Sequence, residues 1–243
     1  MALVRLEITQ RKPFADGQVF GTSGAYEQID GLAHFAVDPS HPDNTVIADI
    51  ALAPRNGDGL VEFSSDFRII KPVDNDHGNG RLLLDVLNRG KELALKNLNS
   101  APDGPPDADP HPGNGFLMRH GYSLVWCGWQ HDVPEAPGLF RCNVPNAYNP
   151  DGSSVSGKIV VSFQPLANVD NQFLSDRDHQ PYPTNHLESW DSVLTVQEHE
   201  DAPEVVIPRE KWAFARLVDG RRVPDAAHAV SYTHLTLPTK RIV

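Results

Sequence analysis

The run Arg81-Leu82-Leu83-Leu84-Asp85-Val86-Leu87, ending in Asn88-Arg89-Gly90, decides the fold reading of this chain. It is mostly apolar, of strand length, and closed by a glycine turn, the pattern of a strand buried on both faces. Residues 91–98 follow with helical composition, and residues 99–114 form a loop rich in Pro, Asp and Gly. Phe116-Leu-Met-Arg-His120 then reads as a short helix closed by Gly121, which tolerates a left-handed helix end. A second apolar strand, residues 122–129 (Tyr-Ser-Leu-Val-Trp-Cys-Gly-Trp), comes directly after it. Strand, helix, glycine, strand predicts an α/β architecture, with a parallel sheet covered by helices.

Outward toward the N-terminus, residues 1–75 read as extended segments. Residues 3–9 alternate apolar and polar, and residues 26–37 form a second candidate strand with a hairpin turn at Asp30-Gly31. Residues 46–53 and 60–63 are strands flanking the Asn56-Gly57-Asp58-Gly59 turn, and residues 67–72 are another, stopped by Pro72. Outward toward the C-terminus, residues 132–225 are proline-rich and strand-like, with strands over 156–163, 192–196, 205–207 and 212–218 and a turn at Asp219-Gly220.

The 243 residues carry a formal net charge of −11, which argues against a nucleic-acid partner, and contain no apolar run long enough to span a membrane. The N-terminal residues lack the pattern of a secretory signal, so cytoplasmic is the default location, with secreted or periplasmic left open. Two cysteines, Cys127 and Cys142, are too few for a disulfide framework or a zinc site and read as core or near-core thiols.

In open α/β sheets, functional groups collect beyond the carboxyl ends of the strands. Two such ends are visible here: Asn88-Arg89-Gly90 and Gly128-Trp129-Gln130-His131-Asp132. A glycine turn after a buried strand can aim backbone N–H groups at a developing oxyanion, which makes Asn88, Arg89 and Gly90 candidate oxyanion-loop residues. An ordinary strand-to-helix turn is the competing reading. Trp126 and Trp129 are candidate pocket-lining residues, with core packing as the alternative. His131 and Asp132 are adjacent on a strand and point to opposite faces, which argues against a base and its orienter. Gly21-Thr-Ser-Gly-Ala25 misses the G-x-S-x-G spacing of a nucleophile elbow, and no such motif, dinucleotide fingerprint or phosphate loop occurs elsewhere. No cofactor and no metal site is expected.

Several blocks carry a resemblance. They are residues 20–39 (Phe-Gly-Thr-Ser-Gly-Ala-Tyr-Glu-Gln-Ile-Asp-Gly and onward), Asp49-Ile-Ala-Leu-Ala-Pro54, residues 66–72, Leu84-Asp-Val-Leu-Asn-Arg-Gly90, residues 116–130 and Ile207-Pro-Arg-Glu-Lys-Trp-Ala-Phe-Ala215. In this order they resemble the N-terminal portion of the large bacterial "alpha/beta hydrolase domain" proteins. The resemblance implies an incomplete α/β-hydrolase-type sheet, with a β-rich N-terminal region in residues 1–131 and a β-rich insertion in residues 132–229. It implies an esterase-like serine hydrolase acting on a small-molecule ester or acyl substrate. The serine, acid and histidine would follow beyond residue 230, so this chain is expected to be catalytically incomplete and to contain no catalytic residue of its own.

Residues 230–243 (Val-Ser-Tyr-Thr-His-Leu-Thr-Leu-Pro-Thr-Lys-Arg-Ile-Val) resemble the translated read-through of a sequencing adapter, of the kind found at the ends of metagenomic contigs, and are expected to be non-native. A true strand over residues 232–237 is the alternative. One rival for the whole chain is a non-catalytic β-rich binding module, possible for carbohydrate because Trp190 and Trp212 could stack on sugar rings; a second is a stand-alone scaffold protein with a naturally lost active site.

Overall fold

The computed structural model describes residues 2–105, 107–163, 171–175, 180–199, 201–231 and 239–242. They fall into two compact units, Met1–Val155 and Ser156–Val243.

The first unit is built on three long antiparallel strands, β1 (Ala2–Pro13), β2 (Tyr26–Val37) and β3 (Val61–Pro72). Beyond β3 lie β5 (Ser123–Cys127), antiparallel to it, and then β4 (Leu82–Asp85), parallel to β5. The sheet order is β1-β2-β3-β5-β4, and the short β6 (Cys142–Asn143) continues the line of β5 along β3. The connection from β4 to β5 carries α1 (Ala94–Asn99) and α2 (Phe116–Arg119). Phe14, Phe20, Tyr26, Ile70, Leu95, Met118, Leu124 and Trp126 form the principal core under this connection. Tyr26 keeps its hydroxyl satisfied there by donating to the Met118 carbonyl at 3.0 Å.

The parallel β4–β5 pair is present as the apolar runs predict. The α/β class is not. Among the described residues, strands make up 38% and helical turns, the 3-10 turns included, 12%, and β4–β5 is the single parallel pair in a mainly antiparallel sheet. Helices of six and four residues are too short to cover a sheet face, because residues 100–115 between them form a loop. The expected burial of β4 on both faces also fails: β4 is the outermost strand, and Leu82, Leu84 and Val86 are exposed. The fold is therefore β-rich rather than an α/β-hydrolase-type alternation.

Two smaller departures from expectation have causes in the neighbouring strands. Asp30-Gly31 is not a hairpin turn, since β2 runs unbroken through it and Gly31 lacks the positive φ such a turn requires. A Cβ on Gly31 would collide with the Glu7 carbonyl and the Phe67 ring, so the glycine serves close approach of β1 instead. Residues 46–53 are turns and a 3-10 turn (Ile50–Leu52) rather than a strand. The ladder between β2 and β3 runs to Val37–Val61, so residues 38–60 are the connection between the two strands. The strands expected over 60–63 and 67–72 are one element, β3.

The second unit contains two small antiparallel sheets. One has the order β10 (Val205–Ile207), β9 (Leu194–Gln197), β13 (Thr239–Ile242), β7 (Val161–Phe163). The other has the order β11 (Trp212–Val218), β12 (Arg221–Ser231), β8 (Asn171–Phe173). Phe163, Leu174, Leu194, Trp212, Phe214 and Ala229 form its core. The expected strand over residues 232–237 lies outside the described residues. Among the described residues, no helix is long and apolar enough to cross a membrane.

Candidate functional site

The carboxyl ends of β4 and β5 bring together the turn that follows each strand. Asp85, the last residue of β4, organises the first of them. A lone carboxylate at the end of an apolar strand must find donors. One of its oxygens, Oδ2, accepts from the backbone N–H of Leu93 (2.9 Å) and Ala94 (2.7 Å) and from the indole Nε1 of Trp126 (2.7 Å). These bonds close residues 86–93 into a loop and satisfy the first donors of α1, where a negative charge is favoured.

Inside that loop, Arg89 adopts a φ of 55° and Gly90 a φ of 77°. A left-handed arginine is strained, and the contacts that hold it are specific. Its backbone N–H donates to Gln130 Oε1 at 3.0 Å, and its guanidinium Nη1 pairs with Asp132 Oδ2 at 2.7 Å. Gly90 accepts from the Phe140 N–H at 3.0 Å, and a Cβ on it would press on Phe140 and Val133, so only glycine fits. Both strand ends named by the sequence therefore meet, with Gln130 and Asp132 of one gripping Arg89 of the other.

The two tryptophans separate. Trp126 is fully buried, its indole committed to Asp85, so it is a core residue and does not line a pocket. Trp129 is 59% exposed, anchored by its Nε1 donating to the Leu87 carbonyl at 2.7 Å, and presents its ring beside the 88–90 turn. In the second unit Trp190 is exposed, whereas Trp212 is buried with the Arg209 guanidinium 4.3 Å over its ring. Trp212 thus has no free face for a sugar. Ser23, in the sequence that misses the elbow spacing, is buried and hydrogen-bonds toward the Arg119 carbonyl.

No local sequence pattern marks the charged network next to this loop. Arg68 on β3 pairs through Nε and Nη2 with both oxygens of Asp30 on β2 (2.6 and 3.3 Å) and through Nη1 with Glu92 Oε2 (2.9 Å). Gln28 donates to Asp30 Oδ2 at 2.6 Å, and the guanidinium lies 5.3 Å from the Phe140 ring centroid. The other oxygen of Glu92, Oε1, is buried without a hydrogen-bond partner. Burial pushes the Glu92 carboxyl up to about 7; Arg68 opposes this, and Asp30 and Asp85 add to it. Among the described residues no group of acidic, histidine and cysteine side chains is arranged to hold a metal ion.

A carboxyl whose folded pKa lies above its ordinary value of 4.5 binds its proton more tightly in the folded state. Its contribution to stability is complete below that ordinary value and is lost as pH rises through about 7. Glu92→Gln should remove this drift. The stability of the parent relative to the variant is expected to fall by on the order of 3 kcal/mol between about pH 4 and about pH 8. Urea titrations of both proteins across that range measure it, and parallel pH profiles would show that Glu92 ionises freely.

Comparison with models of known protein families, with curated proteins and with solved structures finds no match.

Proposed function

We propose that this chain is the N-terminal part of a serine hydrolase of ester or similar acyl bonds, to which it contributes an oxyanion-side loop and part of a pocket wall. The observation that carries the reading is the Arg89 backbone N–H, held by a strained turn at the carboxyl end of β4 and aimed at an amide-type oxygen, Gln130 Oε1. The carbonyl oxygen of a substrate would take the position of that side-chain oxygen. A backbone donor fixed in this way can stabilise the oxyanion of a tetrahedral intermediate without reorganising. Trp129, exposed beside the turn, offers an apolar surface for the acyl or alcohol group. The ordered blocks of residues 20–39, 84–90, 116–130 and 207–215 add the family resemblance, whose serine, acid and histidine would lie beyond residue 230.

The chain as it stands is expected to turn over no p-nitrophenyl ester above the buffer rate and to take no label from a fluorophosphonate. The same chain extended by its natural downstream sequence should do both. Hydrolysis by the 243-residue chain that is lost on replacing one of its own serines would overturn this reading.

A further inference from the structure

The sheet carries a second feature that hydrolysis does not require. Strand β5 leaves β3 after Cys127, and β6 rejoins the same edge of β3 at Cys142. The intervening chain is a closed loop with a tight neck. Asp66 on β3 receives both ends: its carbonyl accepts from Gly128 N–H (2.8 Å), its own N–H donates to the Arg141 carbonyl (3.0 Å), and its Oδ2 accepts from Arg141 N–H (2.7 Å). A Cβ on Gly128 would overlap the Arg141 backbone, so the two limbs of the neck are already in contact.

Cys127 and Cys142 sit one residue outside this neck on either limb. Cys127 is opposite Phe67 and Cys142 opposite Ser65. Residues 65 and 67 lie on one face of β3, so both thiols point to that face. Two residues along a strand advance about 6.6 Å, which lies within the Cα separation that a disulfide spans, up to about 6.8 Å. Ser65, opposite Cys142, has its hydroxyl 3.2 Å from Cys127 Sγ and also bonded to the Gly128 carbonyl. Burial pushes the Cys142 thiol up, and Cys127 adds to the effect, as expected of neighbours. Cys142 is buried and Cys127 partly exposed.

We propose that Cys127 and Cys142 are a redox pair, which a peroxide-class oxidant joins in a disulfide across the neck of the 128–141 loop. The Cys127 thiolate, the more accessible, attacks a peroxide oxygen, breaks the O–O bond and becomes a sulfenic acid, releasing hydroxide that is protonated to water. The Cys142 sulfur, giving up its thiol proton as it attacks, then displaces the sulfenic oxygen, which leaves with that proton as the second water. Two thiols and one hydrogen peroxide thus give one disulfide and two waters. The loop so locked carries Gln130, Asp132, Val133 and Phe140, the residues that hold Arg89 and Gly90 in place. Oxidation therefore rigidifies the neighbour of the 88–90 turn.

The full chain treated with excess hydrogen peroxide tests this. The thiols titratable in denaturant should fall from two per chain to none. The intact mass should drop by that of two hydrogens, and a non-reducing peptide map should link the Cys127 and Cys142 peptides within a monomer. Cys127→Ser, at the more exposed position, should leave the remaining thiol without an intramolecular partner. Thiols that persist after peroxide, sulfinic acids without a cross-link, or links only between chains would each overturn the proposal.

Discussion

Arg68→Met is expected to destabilise the first unit by about 3–5 kcal/mol, the range found when one partner of a buried ion pair is removed. Methionine replaces the packing of the side chain but not its charge. The Arg68 and Asp30 side chains are 17% and 18% exposed and that of Glu92 is 19% exposed, so two carboxylates would lose their counter-ion away from bulk water. The effect should shrink under mildly acidic conditions, because Glu92 can then escape its charge by taking a proton, as its raised pKa allows. Arg68→Lys should fall between parent and Met variant, since an ammonium keeps the charge but cannot reproduce the fork onto both oxygens of Asp30. Urea denaturation followed by fluorescence measures all of these. A loss for Arg68→Met within about 1 kcal/mol, the scale of solvated surface pairs, would show that the network is hydrated and structurally unimportant.

Asp85→Ala is expected to cost about 3 kcal/mol and to release the 86–93 loop. Each buried donor left without a partner costs roughly 1–3 kcal/mol, and the variant leaves Leu93 N–H, Ala94 N–H and the Trp126 indole N–H unpaired. The sum is less than additive, because the two backbone donors at the start of α1 can turn to water once the loop opens. Trp126 supplies an independent signal: its emission should shift to the red as water reaches the indole. Asp85→Asn retains an acceptor oxygen and should lose less. An Asp85→Ala protein with parental stability and unshifted emission would contradict the role given to this carboxylate.

The sequence was informative where one periodicity dominates. Strand β11 and its Asp219-Gly220 turn were legible from composition alone, as were the parallel relation of β4 to β5 and the helix at residues 116–119. It misleads where an apolar run implies burial. Leu82-Leu83-Leu84 has the composition of a central strand, but β4 is the outermost, and nothing local encodes how many strands lie beyond it. Gly31 shows the same limit: Asp-Gly is a turn signal locally, while the approach of the Glu7 carbonyl that makes glycine necessary comes from another strand. The Asp30–Arg68–Glu92 network was invisible because its members are 24 and 38 positions apart and meet only when β2 pairs with β3 and the 86–93 loop folds against them. Asp85 did leave a signal, since a single carboxylate inside an apolar run has to be satisfied by something. A turn at residues 88–90 was legible as a glycine after an apolar strand, whereas the left-handed Arg89 and its partners Gln130 and Asp132 required the fold.

The most direct test of the functional account is the coding DNA read through the codons for residues 225–243 and beyond. The expected result is a natural frame that departs from residues 231–243 into a glycine-rich segment followed by a G-x-S-x-G-like elbow, whose serine would be the nucleophile. Codons for residues 231–243 followed directly by a stop would contradict it, and the Arg89–Gly90 turn would then be a structural feature of a β-rich protein without hydrolytic chemistry.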